Sequence, residues 1–491
     1  MSIEALSTEL DEDIARRLVE ADLSALSRTT KYYRALAEPH LYKDIKFSAD
    51  QNRRIILLFR TIIRRKDLAH HIRSFMVARR HDSDAANAST QADDAELWKS
   101  TKIVKDAIDT ITQGQDLRMA LRWYGGVFAE HPLFDGALAV ILCLATSLEH
   151  LAIEASGIGM LPFTLDVLNY PWQGVGDGRR STFPFCRLQT LSIEADGDHQ
   201  VPHLPWLSTL RTKSKDQEEI NFELFDFPYL THGLGTRLST LEICGVTFDP
   251  SWFESTLSRP EFAGIKELKI NRQNPSSPEL EEWAGYDFQS MSQAIVDNLR
   301  DLQILDWSQQ GLDVNARNLR PFGSLKGLSK LRTLKVDFEL LTEQDGNDSI
   351  HLLEPRENLP ASLTALYISS LHDDDEHWRT GQIMDVARAL GLHRLEISVC
   401  MEYRSIVSGV METIELDKDK REYLATSVAD MLTAGTELLV WRQEGYFTEK
   451  LLFAPGFAES WPQWKDVDQK HWCLYDRLVY LQARAQAEHA E

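Results

Sequence analysis

Long hydrophobic runs, closely spaced cysteines and an excess of basic residues are all lacking from this sequence of 491 residues. The longest apolar run, ALAVILCLA at Ala137 to Ala145, is far shorter than the roughly 20 residues that a membrane-spanning helix needs. The first residues, MSIEALSTELDED, carry no cationic start and no apolar core, so we expect no secretory signal peptide. We therefore expect no membrane association and predict a cytoplasmic or nuclear location.

The five cysteines lie far apart without a CxxC pair, which excludes a dense disulfide framework and predicts free thiols in a reducing compartment. The formal net charge is −22, which disfavours nonspecific binding to nucleic acid or to anionic membranes.

Sequence motifs for catalysis, such as GxSxG or HExxH, are also lacking, so we expect no enzyme, no catalytic residues, no metal ligands and no cofactor. HDDDEHW, from His372 to Trp378, is interpreted as an acidic loop and not as a metal site. GVGDG, from Gly174 to Gly178, satisfies neither phosphate-loop pattern and is interpreted as an insertion loop.

One phrase recurs along the middle of the chain, LxxLxΦ, where Φ is an apolar residue. Its eight copies, six of them strict, begin at Leu148, Leu188, Leu238, Ile265, Leu302, Leu331, Leu363 and Leu392. The second leucine and Φ are two residues apart, so they lie on one face of a short strand and the residue between them points the other way. One such strand cannot bury its apolar face, whereas a stack of them forms a continuous core.

Helical patterns precede several of these phrases. Phe288, Met291, Ile295 and Leu299 share one helical face before one copy, and Gly391 is placed as a helix C-cap before another. This alternation of helix, cap and strand resembles a leucine-rich repeat solenoid, an α/β fold with parallel short strands and helices on the convex side. The spacing between copies runs from 27 to 50 residues, so we expect insertions.

The N-terminal stretch LSTELDEDIARRLVEADLSALSRTTKYYRALAEPHLY, from Leu6 to Tyr42, is apolar at helical spacing. Thr8 and Asp22 are predicted N-caps, and Pro39 is predicted to close the stretch. One apolar stripe contains Leu10, Ile14 and Leu18. Such a piece is too small to make a stable core by itself.

These residues resemble the F-box, a helical module that docks onto the small adaptor of SCF-type cullin–RING ubiquitin ligases. RALAEPHLY and the continuation RTIIRRKDLAHHIRSFMV look like the versions found in fungal F-box proteins. Ser7 stands where the family usually has proline, which should cost some preorganisation without abolishing docking. The resemblance implies an adaptor-binding surface made by Leu6, Leu10, Ile14, Leu18, Leu23 and Leu26, and through the adaptor an association with a cullin.

A basic stretch follows, in which nine Lys/Arg stand against one acid between Arg53 and Arg80. A nucleic-acid patch is one interpretation. Apolar residues interleave at helical spacing, namely Ile55, Leu58, Ile62 and Ile63, so we favour the solvated face of a linking helix and expect no nucleic-acid partner.

The strand positions that point away from the predicted core are candidates for binding a target protein. They are Glu154, Glu194, Glu242, Lys269, Asp306, Lys335, Asp337, Tyr367 and Glu396. Because acids outnumber lysines, this face should favour a basic segment of a partner. The alternative is that these are merely soluble strand positions and that the loops recognise the partner.

The expected organisation is an F-box-like head at 1–45, a helical basic linker at 46–134, a leucine-rich repeat solenoid with insertions at 135–455, and a partly helical tail at 456–491. The function that this organisation implies is target recognition within a ubiquitin ligase. The alternative is a repeat scaffold for protein interaction that never binds the adaptor and carries a degenerate F-box.

Overall fold

The computed structural model describes a large part of the chain. The described residues are 8–48, 52–78, 105, 134–154, 161–169, 185–195, 207–214, 238–244, 250–259, 262–273, 288–310, 322–344, 350–352, 354–372, 376–400, 431, 433–444 and 448–453. Leu6, Ser7, the GVGDG loop and the tail at 456–491 lie outside them, as do the three aspartates of HDDDEHW. The chain divides into two compact units, unit 1 at Met1–Leu238 and unit 2 at Ser239–Glu491.

Unit 1 begins with three helices. They are α1 (Thr8–Arg17), α2 (Glu20–Ser27) and α3 (Lys31–Leu41). The Thr30 hydroxyl caps α3 by accepting a hydrogen bond from the Tyr33 amide at 3.2 Å, which satisfies an amide that has no partner within the helix. We call these three helices the head. Its small core contains Ala15, Leu23 and Ala37.

Two boundaries predicted within the head are wrong. The N-cap of α2 is Val19, not Asp22. Asp22 lies in the first turn, where its negative charge interacts favourably with the positive end of the helix dipole. Pro39 lies inside α3, which continues to Leu41 before the amide of Tyr42 closes on the Glu38 carbonyl.

The remainder of unit 1 alternates strands and helices. The elements are β1 (Asp44–Ser48), α4 (Asn52–Arg64), α5 (Lys66–Ala69), β2 (Ser74–Ala78), α6 (Phe134–Leu144), β3 (His150–Ile153), α7 (Pro162–Asn169), β4 (Thr190–Ala195) and β5 (Thr209–Ser214). The five strands pair in parallel in chain order, from β1 to β5.

The segment predicted as a helical linker, 46–134, contains the helices α4 and α5 but also β2 and the end of β1, so the prediction is wrong for those two strands. The strands at Asp44–Ser48 and Ser74–Ala78 pair with each other, and the second also pairs with β3. The physical reason is visible in the sequence IRSFMV, whose Ile72, Phe75 and Val77 reproduce the repeat spacing with residues other than leucine. The repeat array therefore starts about one hundred residues earlier than the first LxxLxΦ phrase, which begins at Leu148.

The longest apolar run of the sequence forms most of α6. Residues Ala137 to Cys143 of this helix are all buried, because α6 packs against both α4 and α7. Its buried Asp135 accepts hydrogen bonds from the Thr164 amide at 2.8 Å and from the Thr164 hydroxyl at 2.6 Å. This carboxylate thereby accepts from a backbone amide in the first turn of α7 that has no partner within the helix.

Unit 2 repeats the same alternation. Its elements are β6 (Thr240–Cys244), α8 (Pro250–Leu257), β7 (Glu267–Gln273), α9 (Phe288–Asn298), β8 (Ile304–Gln310), β9 (Thr333–Asp337), a 3₁₀ helix (Phe338–Leu341), β10 (Thr342–Gln344), β11 (Ile350–Leu352), α10 (Pro355–Asn358), β12 (Ala365–His372), α11 (Glu376–Leu390), β13 (Arg394–Cys400), β14 (Glu437–Glu444) and β15 (Thr448–Phe453). The strands from β6 to β14 form a parallel sheet in chain order, apart from the small antiparallel pair of β10 and β11. The strand β15 adds to this sheet in the antiparallel direction.

The second leucine of each repeat phrase lies in register with that of the next strand. In unit 2 this inner row contains Leu241, Leu268, Leu305, Leu334, Leu366, Leu395 and Leu438, all of them buried. The Φ residues form a parallel row beside it. The predicted α/β fold with stacked parallel strands is therefore confirmed, as is the inward direction of its apolar side chains.

Two glycines of unit 2 have a left-handed backbone, and the first of them ends α11. Gly391 follows α11 at φ +63°, and the amide of Leu392 donates to the carbonyl of Ala387 at 3.1 Å, which is the pattern of a left-handed C-cap. The predicted cap at Gly391 is confirmed. Gly435 has the same left-handed conformation, at φ +79°, immediately before β14.

Candidate partner-binding surfaces

The head exposes large apolar side chains that its own core does not use. Leu10 and Ile14 are 53% and 46% exposed, and they lie one helical turn apart on α1. Val19 and Tyr32 are also exposed, at 64% and 47%. Exposed large apolar side chains that cluster in one small element are typical of a site that another protein covers.

Three of the six residues predicted to bind the adaptor contribute to the interior of the head. Leu23 is only 6% exposed and lies in the core with Ala15 and Ala37, so its side chain offers little surface to a partner. Leu18 and Leu26 pack half-buried against the same core. The reason is that three short helices need an interior of their own, and these leucines supply it.

The exposed side of the head is held in place by a polar contact that the sequence reasoning missed. The Tyr32 hydroxyl on α3 donates a hydrogen bond to the Asp11 carboxylate on α1 at 2.8 Å, although Asp11 is almost fully buried. This bond raises the pKa of Tyr32, because the hydroxyl proton is held by a carboxylate. It fixes α1, and with it Leu10 and Ile14, against α3.

A second candidate surface is the polar face of the sheet in unit 2. Register brings six of the predicted target-facing residues into one row across adjacent strands, which we call the outer row: Glu242, Lys269, Asp306, Lys335, Tyr367 and Glu396. All six side chains are partly exposed. The prediction that these positions share one face, opposite to the inner row, is confirmed.

Charges along the outer row alternate in sign and pair with one another. The Lys335 ammonium lies 3.6 Å from the Asp306 carboxylate and 4.7 Å from the centre of the Tyr367 ring. Lys269 lies between Glu242 and Asp306 in the register and forms an ion pair with Glu267 at 2.7 Å. Both lysines of the row therefore have anionic partners within the sheet.

The pKa of Lys269 reflects this environment. Its partial burial acts to lower the pKa, but the hydrogen bond to Glu267 and the nearby charges of Glu242 and Asp306 outweigh burial, and the net shift is upward. The ammonium therefore stays charged at physiological pH. A basic segment of a partner would have to compete with the lysine side chains that already form ion pairs with the carboxylates of this face.

A further charged group, which the sequence reasoning missed, lies two residues before the outer row along the strands. Arg394 forms ion pairs with Glu396 at 2.6 Å and with Glu437 at 3.4 Å. Strand alternation provides the signal, because a residue two positions before the outward one points to the same face. Together, these residues and the outer row contain five acids and three bases: Glu242, Glu267, Asp306, Glu396 and Glu437 against Lys269, Lys335 and Arg394.

Asp337 does not belong to the exposed face. It is the last residue of β9 and was predicted to point outward, but its side chain is fully buried. The chain does not continue as a strand there, because the 3₁₀ helix Phe338–Leu341 begins at the next residue, and it buries Phe338 and Leu340 as well. The prediction that Asp337 is exposed is wrong, because strand alternation takes no account of the chain that follows the strand.

The corresponding face of unit 1 carries less charge. Its register row contains Lys46, Met76, Ala152, Ser192 and Arg211. Glu154 follows β3 with its side chain partly exposed, as predicted, and its amide donates to the Val77 carbonyl at 2.7 Å. Glu194 lies on β4, but its side chain lies outside the described residues.

A small cavity lies among the described residues of unit 2. A cavity of about 10 Å³ is lined by apolar residues that include Phe322, Leu341 and Val386, which leaves room for about one water molecule. Among the described residues, no group of three or more His, Cys, Asp or Glu is arranged to hold a metal ion. No helix in the described part of the chain combines the length and apolarity needed to cross a membrane. Comparison with protein-family models and with curated proteins gives no match for this sequence.

Proposed function

We propose that this chain is a non-enzymatic target-recognition subunit of an SCF-type cullin–RING ubiquitin ligase. In this proposal the head is an F-box that binds the adaptor, and through it a cullin, while the strands form a leucine-rich repeat solenoid that holds the target protein. The subunit raises the effective concentration of its target next to the transfer machinery and does no chemistry itself.

The observation that carries the proposal is the exposure of Leu10 and Ile14 on a head that has a separate small core. Two large aliphatic side chains one turn apart fit the way in which a helix inserts its apolar face into a partner's groove. Burial of such side chains contributes about 1.5–3 kcal/mol each, which is enough for the pair to decide whether the complex forms.

The position of the head supports the same proposal. Only Tyr42 and Lys43 separate α3 from β1, the first strand of the sheet in unit 1. A docking element thus leads directly into a repeat array, an architecture that recruits a second protein along extended strand faces.

A binding experiment with purified adaptor tests the proposal. We expect Leu10→Asp and Ile14→Asp each to weaken adaptor binding at least about tenfold, because a carboxylate would be buried without a partner in the interface. The matched control is Leu57→Asp on α4, outside the head, whose side chain is as exposed as that of Ile14. This variant should bind like the wild type.

Leu23→Asp is not a useful variant for this purpose, because it would place a charge in the core of the head and unfold it. If the wild-type chain does not bind the adaptor at all, the chain is an adaptor-independent scaffold. If Leu57→Asp weakens binding as much as Ile14→Asp, the head is not the docking element.

A further inference from the structure

The joint between the head and the sheet of unit 1 is short and closely bonded. The Tyr42 amide donates to the Glu38 carbonyl at 3.0 Å, which ends α3. The Lys43 carbonyl accepts from the amides of Arg73 and Ser74 at 2.9 and 3.0 Å, which begins the pairing of β1 with β2. The chain passes from head to sheet without a flexible linker.

A single arginine connects the two sides of this joint. Both terminal nitrogens of Arg65, the residue before α5, contact the two carboxylate oxygens of Glu38 on α3, each at 2.9 Å. The same guanidinium contacts the carboxylate of Asp67 on α5 at 2.6 and 3.2 Å. Arg65 therefore spans a carboxylate of the head and a carboxylate of the strand–helix–strand segment that follows it.

The geometry indicates that Arg65 fixes the orientation of the head more than it stabilises the folded chain. Because the guanidinium is planar and its donors form a rigid fork, a bidentate contact restricts rotation as well as distance. The Arg65 side chain is 43% exposed, and exposed ion pairs contribute little to the free energy of unfolding. Glu38 is more enclosed, at 17%, and the half-buried Tyr42 lies beside this pair.

We infer that Arg65 is a positioning residue that fixes the direction of the head relative to the first strand–helix–strand segment of unit 1. The inference concerns the free chain and stands whether or not the adaptor binds. Under the proposed function its consequence is that Arg65 sets where the adaptor lies with respect to the repeat strands of this unit.

A distance measurement between two spin labels on the full-length chain tests this inference. One label replaces Glu12 on α1 and the other replaces Gln189 before β4, both of which are exposed. The labels are attached through an introduced azide-bearing amino acid, so that the five native cysteines remain unchanged. Pulsed electron paramagnetic resonance then gives the distribution of distances between head and sheet.

We expect Arg65→Gln to widen this distribution roughly twofold, because the fork that restricts rotation is lost. Glu38→Gln should widen it similarly, whereas Asp67→Asn should have a smaller effect because the contact with Glu38 remains. Arg65→Lys should also widen the distribution, since an ammonium keeps the charge but cannot make the bidentate contact. Arg64→Gln, at the adjacent exposed residue, is the matched control and should match the wild type.

Wild-type chain in 1 M salt should shift toward the Arg65→Gln distribution, because the Debye length falls to roughly 3 Å and the exposed ion pair is weakened. A distribution that is unchanged in both Arg65→Gln and Arg65→Lys would overturn the inference. Circular dichroism and adaptor binding, measured on the same variants, should remain at the wild-type level. Failure of the wild type to bind adaptor would count against the proposed function and leave the distance result intact.

Discussion

Cys143 lies on α6 with its side chain buried among apolar neighbours. Burial raises the pKa of this thiol, because the thiolate would lose its hydration without gaining a partner. We expect Cys143 to react with iodoacetamide on the order of a hundredfold more slowly than Cys244, whose side chain is partly exposed, since the reaction requires local opening. Mass spectrometry of peptides after timed labelling at pH 8 measures both rates.

Labelling in denaturant is the control, and there both thiols should react alike. The raised pKa also predicts the sign of a pH effect. Above the ordinary thiol pKa, the unfolded chain releases the Cys143 proton and the folded chain keeps it. The contribution of Cys143 to the free energy of unfolding therefore falls as the pH rises through that range. Equal rates for Cys143 and Cys244 in the native chain would contradict the assigned burial.

The spacing of apolar residues correctly predicted some single-residue assignments, and it failed where tertiary contacts decide whether a side chain is buried. Leu10 and Leu23 belong to one predicted binding set, yet one is exposed and the other is core. Helical spacing identifies an apolar face but does not reveal how much of it three short helices cover among themselves. The exposed Val19 and the bond between Tyr32 and Asp11 depend on tertiary contacts, so spacing did not indicate them.

At the scale of elements, the end of α11 shows how one residue sets a boundary. Gly391 has φ +63° and nothing within 4 Å of the position that a Cβ would occupy. We therefore expect Gly391→Ala to lower the free energy of unfolding by about 1–2 kcal/mol through backbone strain alone. Gly391→Asn should cost less, because asparagine tolerates the left-handed conformation. Chemical denaturation followed by circular dichroism measures both.

Gly327, in the turn before β9, provides a contrasting glycine. It has no left-handed backbone, but an added Cβ would meet Cγ1 of Val296 at 2.5 Å. Gly327→Ala should therefore destabilise unit 2 through crowding, by about 1–3 kcal/mol, and Val296→Ala in the same chain should relieve part of that cost. No relief would mean that the backbone, not the contact, determines the choice of glycine here.

Strands were predictable where leucine occupies the repeat positions and were missed where it does not. The phrase LSTLRT supplies β5, in which Thr212 takes the place of the apolar Φ residue and is itself buried. The strand β1 uses isoleucine and phenylalanine instead, and β2 uses phenylalanine and valine. The physical requirement is two inward side chains of suitable volume, two residues apart, and a search restricted to leucine is narrower than that requirement.

At the scale of the whole molecule, a net charge of −22 predicts general attraction for basic peptides. The polar face of unit 2 does not add much to that attraction, because its lysines and arginine pair with its acids. The sequence predicted an acidic face from counts of residues, and register was needed to show that opposite charges are neighbours. The location of charge, more than its total, should decide where a basic partner binds.

This distinction can be tested with two variants of equal net charge. Lys269→Met with Lys335→Met removes both cations of the outer row, whereas Lys43→Met with Lys326→Met, the turn variant, removes two lysines from the exposed turns before β1 and β9. We expect the outer-row variant to bind an oligolysine peptide roughly tenfold more tightly than the wild type at low salt, because Asp306 and its neighbours lose their cations. The turn variant should differ little from the wild type. Fluorescence anisotropy at several salt concentrations measures the affinities, and equal gains in both variants would show that total charge governs binding and that this face holds no preference of its own.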